Sequence, residues 1–418
     1  MFTRSFIKPF DRVSPIIIYS LIIFFMSFGD ALMSYSTPVY IEKRLNSAFL
    51  MGLILSTSSL FGTFLDFYIS KKYWNKKYGF FLKLAFIATL MFPLILIFFP
   101  AKPLFLIVGM LSWGAYYELR GFSNFNFINK HTNPDNHTLA WSILNTFNSL
   151  AYFIGPMLSV YLIEIGDKTT FYFALIPFGL AITTHYMFTK KHSLNKREHG
   201  INLLTQSNER NLEIEGKIMK ILITRAWPIF IFGFTLWLLD ASFWTIGTLF
   251  SEQLKHSSKY GSFFFAAYMI PPIFTSIFAT HIYKRFGKKR TAFISAIFSA
   301  LILLVMAATN NVGYILICVF FVSIFYNLAQ ILNYSVYEDF VTRLHQYGND
   351  MVAIGQVSAS LAYITGPVIF GLISSYIGYQ STFSIVGIIL GSVSIACLFV
   401  VPRKIKMPQI ELKHLTDR

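Results

Sequence analysis

The chain has 418 residues, of which 55% are hydrophobic and only 13% are charged. This composition is far too apolar for a soluble domain of that length. The formal net charge of +16 alone would be compatible with a nucleic-acid partner. The basic residues, however, lie in the loops between apolar runs, as in membrane proteins. A membrane protein is therefore predicted, and no nucleic-acid partner is expected.

Apolar runs of about 20 residues recur along the chain, and each is long enough to cross the bilayer core as a helix. Twelve spans are predicted. The first six lie at about 14–40, 48–70, 80–99, 104–128, 138–164 and 171–189. The second six lie at about 226–250, 260–283, 291–308, 313–337, 351–376 and 381–402.

The spans form two halves separated by one long polar segment. The predicted division is an N-terminal half at 1–189, a linker at 190–225, a C-terminal half at 226–402 and a tail at 403–418. The latter part of the linker, NLEIEGKIMKILI, could form an amphipathic helix on the membrane surface. Of the Lys and Arg residues outside the spans, 28 lie on one side and 6 on the other. This asymmetry predicts an inner-membrane protein with both termini and the linker in the cytoplasm.

Two blocks of sequence occur once in each half. The segment 149–156 reads SLAYFIGP and the segment 360–367 reads SLAYITGP, at an offset of 211 residues. Asp30 and Asp240 also occupy similar apolar segments, at an offset of 210 residues. Two blocks with nearly equal spacing predict parallel, duplicated membrane halves with a shared site between them.

Six plus six spans with a basic central linker resemble the major facilitator superfamily, a family of secondary transporters. Two loop motifs carry the resemblance, GTFLDFYISKK between spans 2 and 3 and THIYKRFGKKR between spans 8 and 9. Both copies are degraded, because Ile69 stands where a second Gly is usual, and Thr280 and Lys284 stand where Gly and Asp are usual. The resemblance implies an all-α membrane protein with twelve transmembrane helices in two six-helix halves. It also implies a cytoplasmic gate formed by Gly62, Asp66, Lys71, Lys72, Gly287, Lys288 and Arg290.

Asp30 and Asp240 lie in the middle of predicted spans 1 and 7. A carboxylate near the bilayer centre is costly, so it normally faces protein or a water-filled cavity and usually has a role. The resemblance places both residues at the central cavity of the family fold. They are candidates for proton coupling or cation binding, and the alternative is a permanently ionised partner in a structural ion pair.

Span 4 carries Glu118 and Arg120, which are two residues apart and point about 200° from each other around the helix. At least one of them should therefore pair with another helix or face the cavity. The expected depths of spans 1 and 4 allow Arg120 to approach Asp30. This predicts a network of Asp30, Arg120 and Glu118 that either rearranges with substrate and protons or holds the N-terminal half together statically.

Span 10 carries Asn327, Gln330 and Asn333 at a spacing of three, which predicts one polar stripe. Such amides could bind the hydroxyl and carbonyl groups of a substrate, or join neighbouring helices.

The Gly155-Pro156 segment resembles a helix-5 pattern associated with antiporters in this family. Proline removes a backbone hydrogen bond and kinks a helix, so a kink is predicted here. The copy at Gly366-Pro367 weakens the antiporter inference, because a structural kink would also be duplicated.

The chain has no Gly-rich phosphate-binding loop and no metal-ligand spacing, so no enzymatic activity, cofactor or metal is expected. The predicted function is proton-coupled export of small amphipathic or drug-like compounds by alternating access. The alternatives are proton-coupled uptake of a nutrient and a membrane sensor that has lost transport. The expected partners are a small-molecule substrate, protons and the lipid bilayer, with the chain as a monomer.

Overall fold

The structure is a computed structural model that describes residues 7–73, 76–132, 137–191, 212–275, 287–344 and 347–402, with residues 405, 408, 409, 411 and 412 beyond them. The predictions for linker residues 192–211, for loop residues 276–286 and for most of the tail fall outside these described residues. The chain divides into two compact units, Met1–Asn202 and Leu203–Arg418.

The described part of the first unit contains six helices. Ser47 caps the second of them by accepting a hydrogen bond from the backbone N–H of Leu50 at 3.2 Å. Pro103 begins the fourth, where its missing N–H leaves no hydrogen bond unmade. The helices are α1 (Ile7–Leu45), α2 (Ala48–Lys72), α3 (Tyr78–Phe98), α4 (Pro103–His131), α5 (His137–Ile165) and α6 (Thr169–Lys191).

The second unit is helical in the same way. Gly378 separates the last two helices with a φ of +82°, a backbone conformation that favours glycine. A 3₁₀ turn at Lys259–Phe263 precedes the short third helix. The described helices are α7 (Leu212–Trp244), α8 (Ile246–Ser257), α9 (Phe264–Met269), α10 (Lys288–Ala307), α11 (Val312–Leu344), α12 (Gly348–Ile377) and α13 (Tyr379–Val400).

Equivalent helices pack together in the two units. In the first unit α1 lies against α5 and α6, and α3 lies against α4. In the second unit α7 lies against α12 and α13, and α10 lies against α11. The order of packing therefore repeats, in agreement with the duplicated sequence blocks.

Within the described residues, ten helices are long and apolar enough to cross a membrane. This confirms the predicted all-α membrane protein. The helix α4 is not one of the ten, because Glu118, Arg120 and its polar second half lower its hydropathy. The predicted span at 260–283 is described only as far as residue 275.

Helix α7 differs from the prediction at both of its ends. It begins at Leu212, so residues 212–225 continue into the span and do not form a separate surface helix. It ends at Trp244, and Thr245 leaves helical geometry with a ψ of −85° before α8 begins. The Thr245 hydroxyl donates to the carbonyl oxygen of Ala241 at 2.7 Å. An apolar run does not reveal where such a helix end falls.

Candidate functional site

Asp30 lies in α1 with an exposed fraction of 0%. Its Oδ1 accepts hydrogen bonds from Trp113 Nε1 at 2.8 Å and from the Tyr117 hydroxyl at 3.0 Å, both on α4. Its Oδ2 accepts a short hydrogen bond from the Tyr152 hydroxyl of α5. Donors from two neighbouring helices therefore hold both oxygens of this carboxylate.

Arg120 of α4 supplies a cation for Asp30. Its Nη1 lies 3.8 Å from Asp30 Oδ2, and its side chain is only 14% exposed. The same nitrogen donates to Ser27 Oγ at 2.9 Å and to the Tyr116 hydroxyl at 2.7 Å. The guanidinium carbon also lies 4.9 Å from the centre of the Tyr116 ring. The approach of Arg120 to Asp30, which the helix depths predict, is present in the structure.

Glu118 does not join this group. It points to the opposite side of α4, where a Cβ added to Gly62 of α2 would lie 3.0 Å from its Oε1. It is also close enough to Asp66 for the two carboxylates to interact electrostatically. The predicted three-residue network therefore needs correction, because the helical rotation that separates Glu118 from Arg120 turns Glu118 towards α2.

Asp240 of α7 is bound by phenols. The Tyr268 hydroxyl of α9 donates to its Oδ1 at 2.7 Å, and the Tyr363 hydroxyl of α12 makes a short hydrogen bond to its Oδ2. Tyr326 of α11 lies beside the same carboxylate. Among the described residues of this unit, no Lys, Arg or His forms an ion pair with Asp240.

Tyr152 and Tyr363 occupy the same place in the two copies of the repeated block, the Y of SLAYFIGP and of SLAYITGP. Each donates to the carboxylate that is itself duplicated. The sequence analysis selected Asp30, Asp240 and the Gly-Pro pairs but missed these tyrosines. The signal was present, since both partners of each hydrogen bond recur at nearly the same offset.

The glycine of each block lets the tyrosine reach its carboxylate. A Cβ added at Gly155 would lie 2.5 Å from the Cβ of Ala31, the residue after Asp30. A Cβ added at Gly366 would lie 3.1 Å from the Cβ of Ala241, the residue after Asp240. Close packing of α5 on α1, and of α12 on α7, accounts for the duplicated glycines. The prolines beside them, Pro156 and Pro367, lie inside continuous helices.

We expect Gly155→Ala to destabilise the protein by about 1–3 kcal/mol, the usual cost of an overpacked contact. The added methyl group must push α5 away from α1 and lengthen the Tyr152–Asp30 hydrogen bond. Gly366→Ala is the matched control, because its added Cβ is 3.1 Å from the nearest atom instead of 2.5 Å. Thermal unfolding in detergent measures both, and equal midpoints would contradict the packing argument.

The cation beside Asp30 has no counterpart beside Asp240. Gln330 is the residue 210 positions after Arg120, the offset that also relates Asp240 to Asp30. Gln330 is 7% exposed, and neither polar atom of its amide makes a hydrogen bond of normal geometry among the described residues, although the Tyr334 hydroxyl lies close enough to interact with it. Where the first unit has a cation, the second therefore has a buried neutral amide.

The other two amides of the predicted polar stripe make different contacts. Asn327 Nδ2 donates to the carbonyl oxygen and the hydroxyl of Ser323 within its own helix, at 2.8 Å and 3.1 Å. Asn333 faces α7, where a Cβ added to Gly233 would lie 3.0 Å from its Nδ2. Asn333 Oδ1 is buried without a partner among the described residues. Gln330 and Asn333 are thus the members of the stripe with unused hydrogen-bonding groups.

The first loop motif, residues 62–72, forms the C-terminal part of α2. Lys72 Nζ donates to the Tyr68 hydroxyl at 2.9 Å and lies 5.7 Å from the centre of the Tyr73 ring. Asp66 is exposed on the same helix, and Gly62 is buried against Glu118. The side chain of Lys71 falls outside the described residues.

The second loop motif leads into α10. Gly287 has a φ of +83°, which favours glycine, and it precedes the first turn of the helix. Lys288 Nζ lies 2.8 Å from Asp339 Oδ1, so this ion pair joins α10 to α11. Arg290 is exposed one turn further on.

The apolar helices and their duplicated packing define a multi-pass membrane protein. Residues 229–415 match the family model described as Major Facilitator Superfamily. The match covers most of the second half of the chain, which is therefore similar to this superfamily. The match supports the predicted fold and the resemblance read from the sequence. No curated protein sequence matches the chain significantly.

Solved transporter structures agree with the fold over 92% of the chain. One is a POT family transporter in complex with a thioalcohol-conjugated peptide, with 10% identity, 95% of that chain covered and a TM-score of 0.72. A second is a POT family transporter in complex with 5-aminolevulinic acid, with 10% identity, 95% coverage and a TM-score of 0.71. A third is the nucleoside transporter NupG, with 13% identity, 100% coverage and a TM-score of 0.70.

Proposed function

We propose that this chain is a proton-coupled secondary transporter working by alternating access, and that Asp240 is the residue that exchanges the proton. The observation that carries the proposal is the difference between the two carboxylates. Asp30 has a cation within 3.8 Å, whereas Asp240 has phenol donors and no cation among the described residues of its unit.

A coupling carboxylate must be stable in both its charged and its neutral form. Arg120 offsets the negative charge of Asp30. If Asp30 takes up a proton, the positive charge of Arg120 is left without an anion. The phenols around Asp240 can donate to a carboxylate, yet the neutral acid leaves no cation unpaired there. Asp240 is also partly exposed, whereas Asp30 is fully buried. Proton exchange is therefore easier at Asp240.

The substrate is proposed to be a small organic molecule. Gln330 and Asn333 supply its polar contacts, because buried amides with unused hydrogen-bonding groups match neutral hydroxyl and carbonyl groups. The first candidate for the direction of transport is export of an amphipathic compound, because the Gly155-Pro156 segment resembles a pattern associated with antiporters. Uptake of a nutrient is the second, favoured by fold neighbours bound to a peptide or 5-aminolevulinic acid, or named as a nucleoside transporter.

Flux into proteoliposomes under an imposed pH gradient tests this function. The probes are a labelled dipeptide, labelled uridine and the cationic dye ethidium. Accumulation of the dipeptide or uridine together with protons identifies uptake, and movement of ethidium against the proton flow identifies export. Absence of flux for all three probes would contradict proton-coupled transport of these classes and favour the sensor alternative.

The protein is proposed to lie in the inner membrane with both termini in the cytoplasm, as the distribution of basic residues indicates. A membrane-impermeant thiol reagent added from outside should label a Cys placed at Lys168 but not one placed at Arg197. The background should be low, because the native Cys397 is buried and Cys318 is half-buried. The reverse labelling pattern would contradict this orientation.

The two loop motifs are proposed to form the cytoplasmic gate. Asp66 and Lys72 belong to the first motif, and Lys288 and Arg290 belong to the second. The ion pair between Lys288 and Asp339 supports this role, because it ties the second motif to the end of α11.

A further inference from the structure

The second unit contains a cavity of about 700 Å³ where α10 begins and where α11 and α13 end. These helix ends belong to apolar membrane spans, so the cavity lies at the level of the membrane surface. One part of its wall is apolar, formed by side chains that include Phe293, Phe340 and Leu398. The other part is basic, and its cations are Lys288, Lys289, Arg290 and Arg343.

The positive charge of this wall is only partly compensated. Asp339 is the acidic residue of the lining, and it pairs with Lys288 at 2.8 Å. Lys289 donates to the carbonyl oxygen of Pro402, which carries no charge. Arg290 and Arg343 are exposed and have no acidic partner among the described side chains. Asp339 also interacts electrostatically with Lys289. The four cations of the wall thus share one carboxylate among the described residues of the lining.

One further feature adds to the positive potential. The N-terminus of α10 opens onto the cavity, and its first turn has no side-chain cap. Helix N-termini favour anions through their free N–H groups and their dipole.

We propose that this cavity binds a phosphate-bearing anion, held by Lys289, Arg290 and Arg343. Guanidinium groups suit phosphate oxygens because they donate in a planar fork. Basic residues that only set membrane orientation need not share a cavity, whereas here they line one cavity together with apolar side chains. An anionic phospholipid matches this combination, since its phosphate can meet the cations while its glycerol and first methylene groups contact the apolar wall. A soluble phosphate compound is the other source of the same chemistry.

The test compares ligands on the full-length protein in a neutral detergent. Thermal unfolding is measured with dioctanoyl phosphatidylglycerol, with dioctanoyl phosphatidylcholine and with inorganic phosphate at matched ionic strength. The double variant R290Q/R343Q removes two exposed cations from the cavity. The double variant K220Q/K259Q removes two exposed cations elsewhere in the same unit and is the matched control. Loss of two cations should weaken binding by roughly 30-fold.

The site is supported, with a lipid as the source of the phosphate group, if only phosphatidylglycerol stabilises the protein. This stabilisation must be lost in R290Q/R343Q and kept in K220Q/K259Q. Equal stabilisation by inorganic phosphate with the same dependence on the variants supports the site with a soluble source. The proposal is overturned if no phosphate-bearing ligand stabilises the wild type, or if R290Q/R343Q responds as the control does. These outcomes are independent of transport, so they do not depend on the proposed function.

Discussion

Asp240→Asn is expected to abolish uphill transport driven by a pH gradient while energy-independent exchange of the same substrate persists. Asparagine has nearly the shape of the protonated acid, so it holds the site in one of the two states that coupling requires. Because no described cation of the unit pairs with Asp240, the substitution leaves no buried charge unpaired. The expected cost is limited to weaker bonds from Tyr268 and Tyr363, about 1–3 kcal/mol at most. The folded variant should therefore be recoverable from the membrane.

Proteoliposomes containing equal amounts of inserted protein provide the measurement. Accumulation under the gradient should fall to the level of protein-free liposomes, and counterflow exchange without a gradient should remain measurable. Tyr363→Phe is a useful companion variant, because it removes one donor to Asp240 but leaves the carboxylate in place. It should shift the pH dependence of transport without abolishing coupling. Full gradient-driven accumulation by Asp240→Asn would reject Asp240 as the coupling residue.

The sequence predicted the architecture because membrane spans, loop charges and internal repeats are one-dimensional signals. Length and hydropathy identify a span. The offset between Asp30 and Asp240 is nearly equal to the offset between the two repeated blocks, which indicates that the halves are duplicated. The approach of Arg120 to Asp30 also followed, because the rise per residue of a helix gives the depth of each side chain in the membrane.

Contacts that depend on the rotation of a helix about its axis were harder to predict from the sequence. The sequence showed that Glu118 and Arg120 face apart, but not which of them faces α1 and which faces α2. Helix α7 ends at Trp244 within a continuous apolar run, where hydropathy carries no signal. Tyr152 and Tyr363 were hidden for another reason. Aromatic residues make up 18% of the chain, so only their position inside a repeated block distinguishes these two from the others.

Asp30→Asn is expected to behave differently from Asp240→Asn and to lose folded protein. The substitution leaves Arg120 of α4, whose side chain is only 14% exposed, without its charge partner. Removing one partner of a buried ion pair typically costs about 3–5 kcal/mol, which is a large fraction of the stability of a single domain. Substrate binding and folding should therefore fail together. The measurements are the yield of monodisperse protein on size exclusion and the midpoint of thermal unfolding, each compared with Asp240→Asn.

The reciprocal variant, Arg120→Gln, gives the first unit the residue that the second unit carries at Gln330. Asp30 would then be held by Trp113 and phenols without a cation, as Asp240 is held by phenols alone. A carboxyl group in that position can reduce the free-energy cost of its buried charge by taking up a proton. An arginine without a partner cannot do the equivalent, because its guanidinium group does not lose a proton. The stability deficit of Arg120→Gln should therefore shrink between about pH 8 and about pH 5, because the folded state binds an additional proton as the pH falls. The deficit of Asp30→Asn should stay constant over the same range. If the two deficits vary with pH in the same way, the pairing of Asp30 with Arg120 is not what stabilises the first unit.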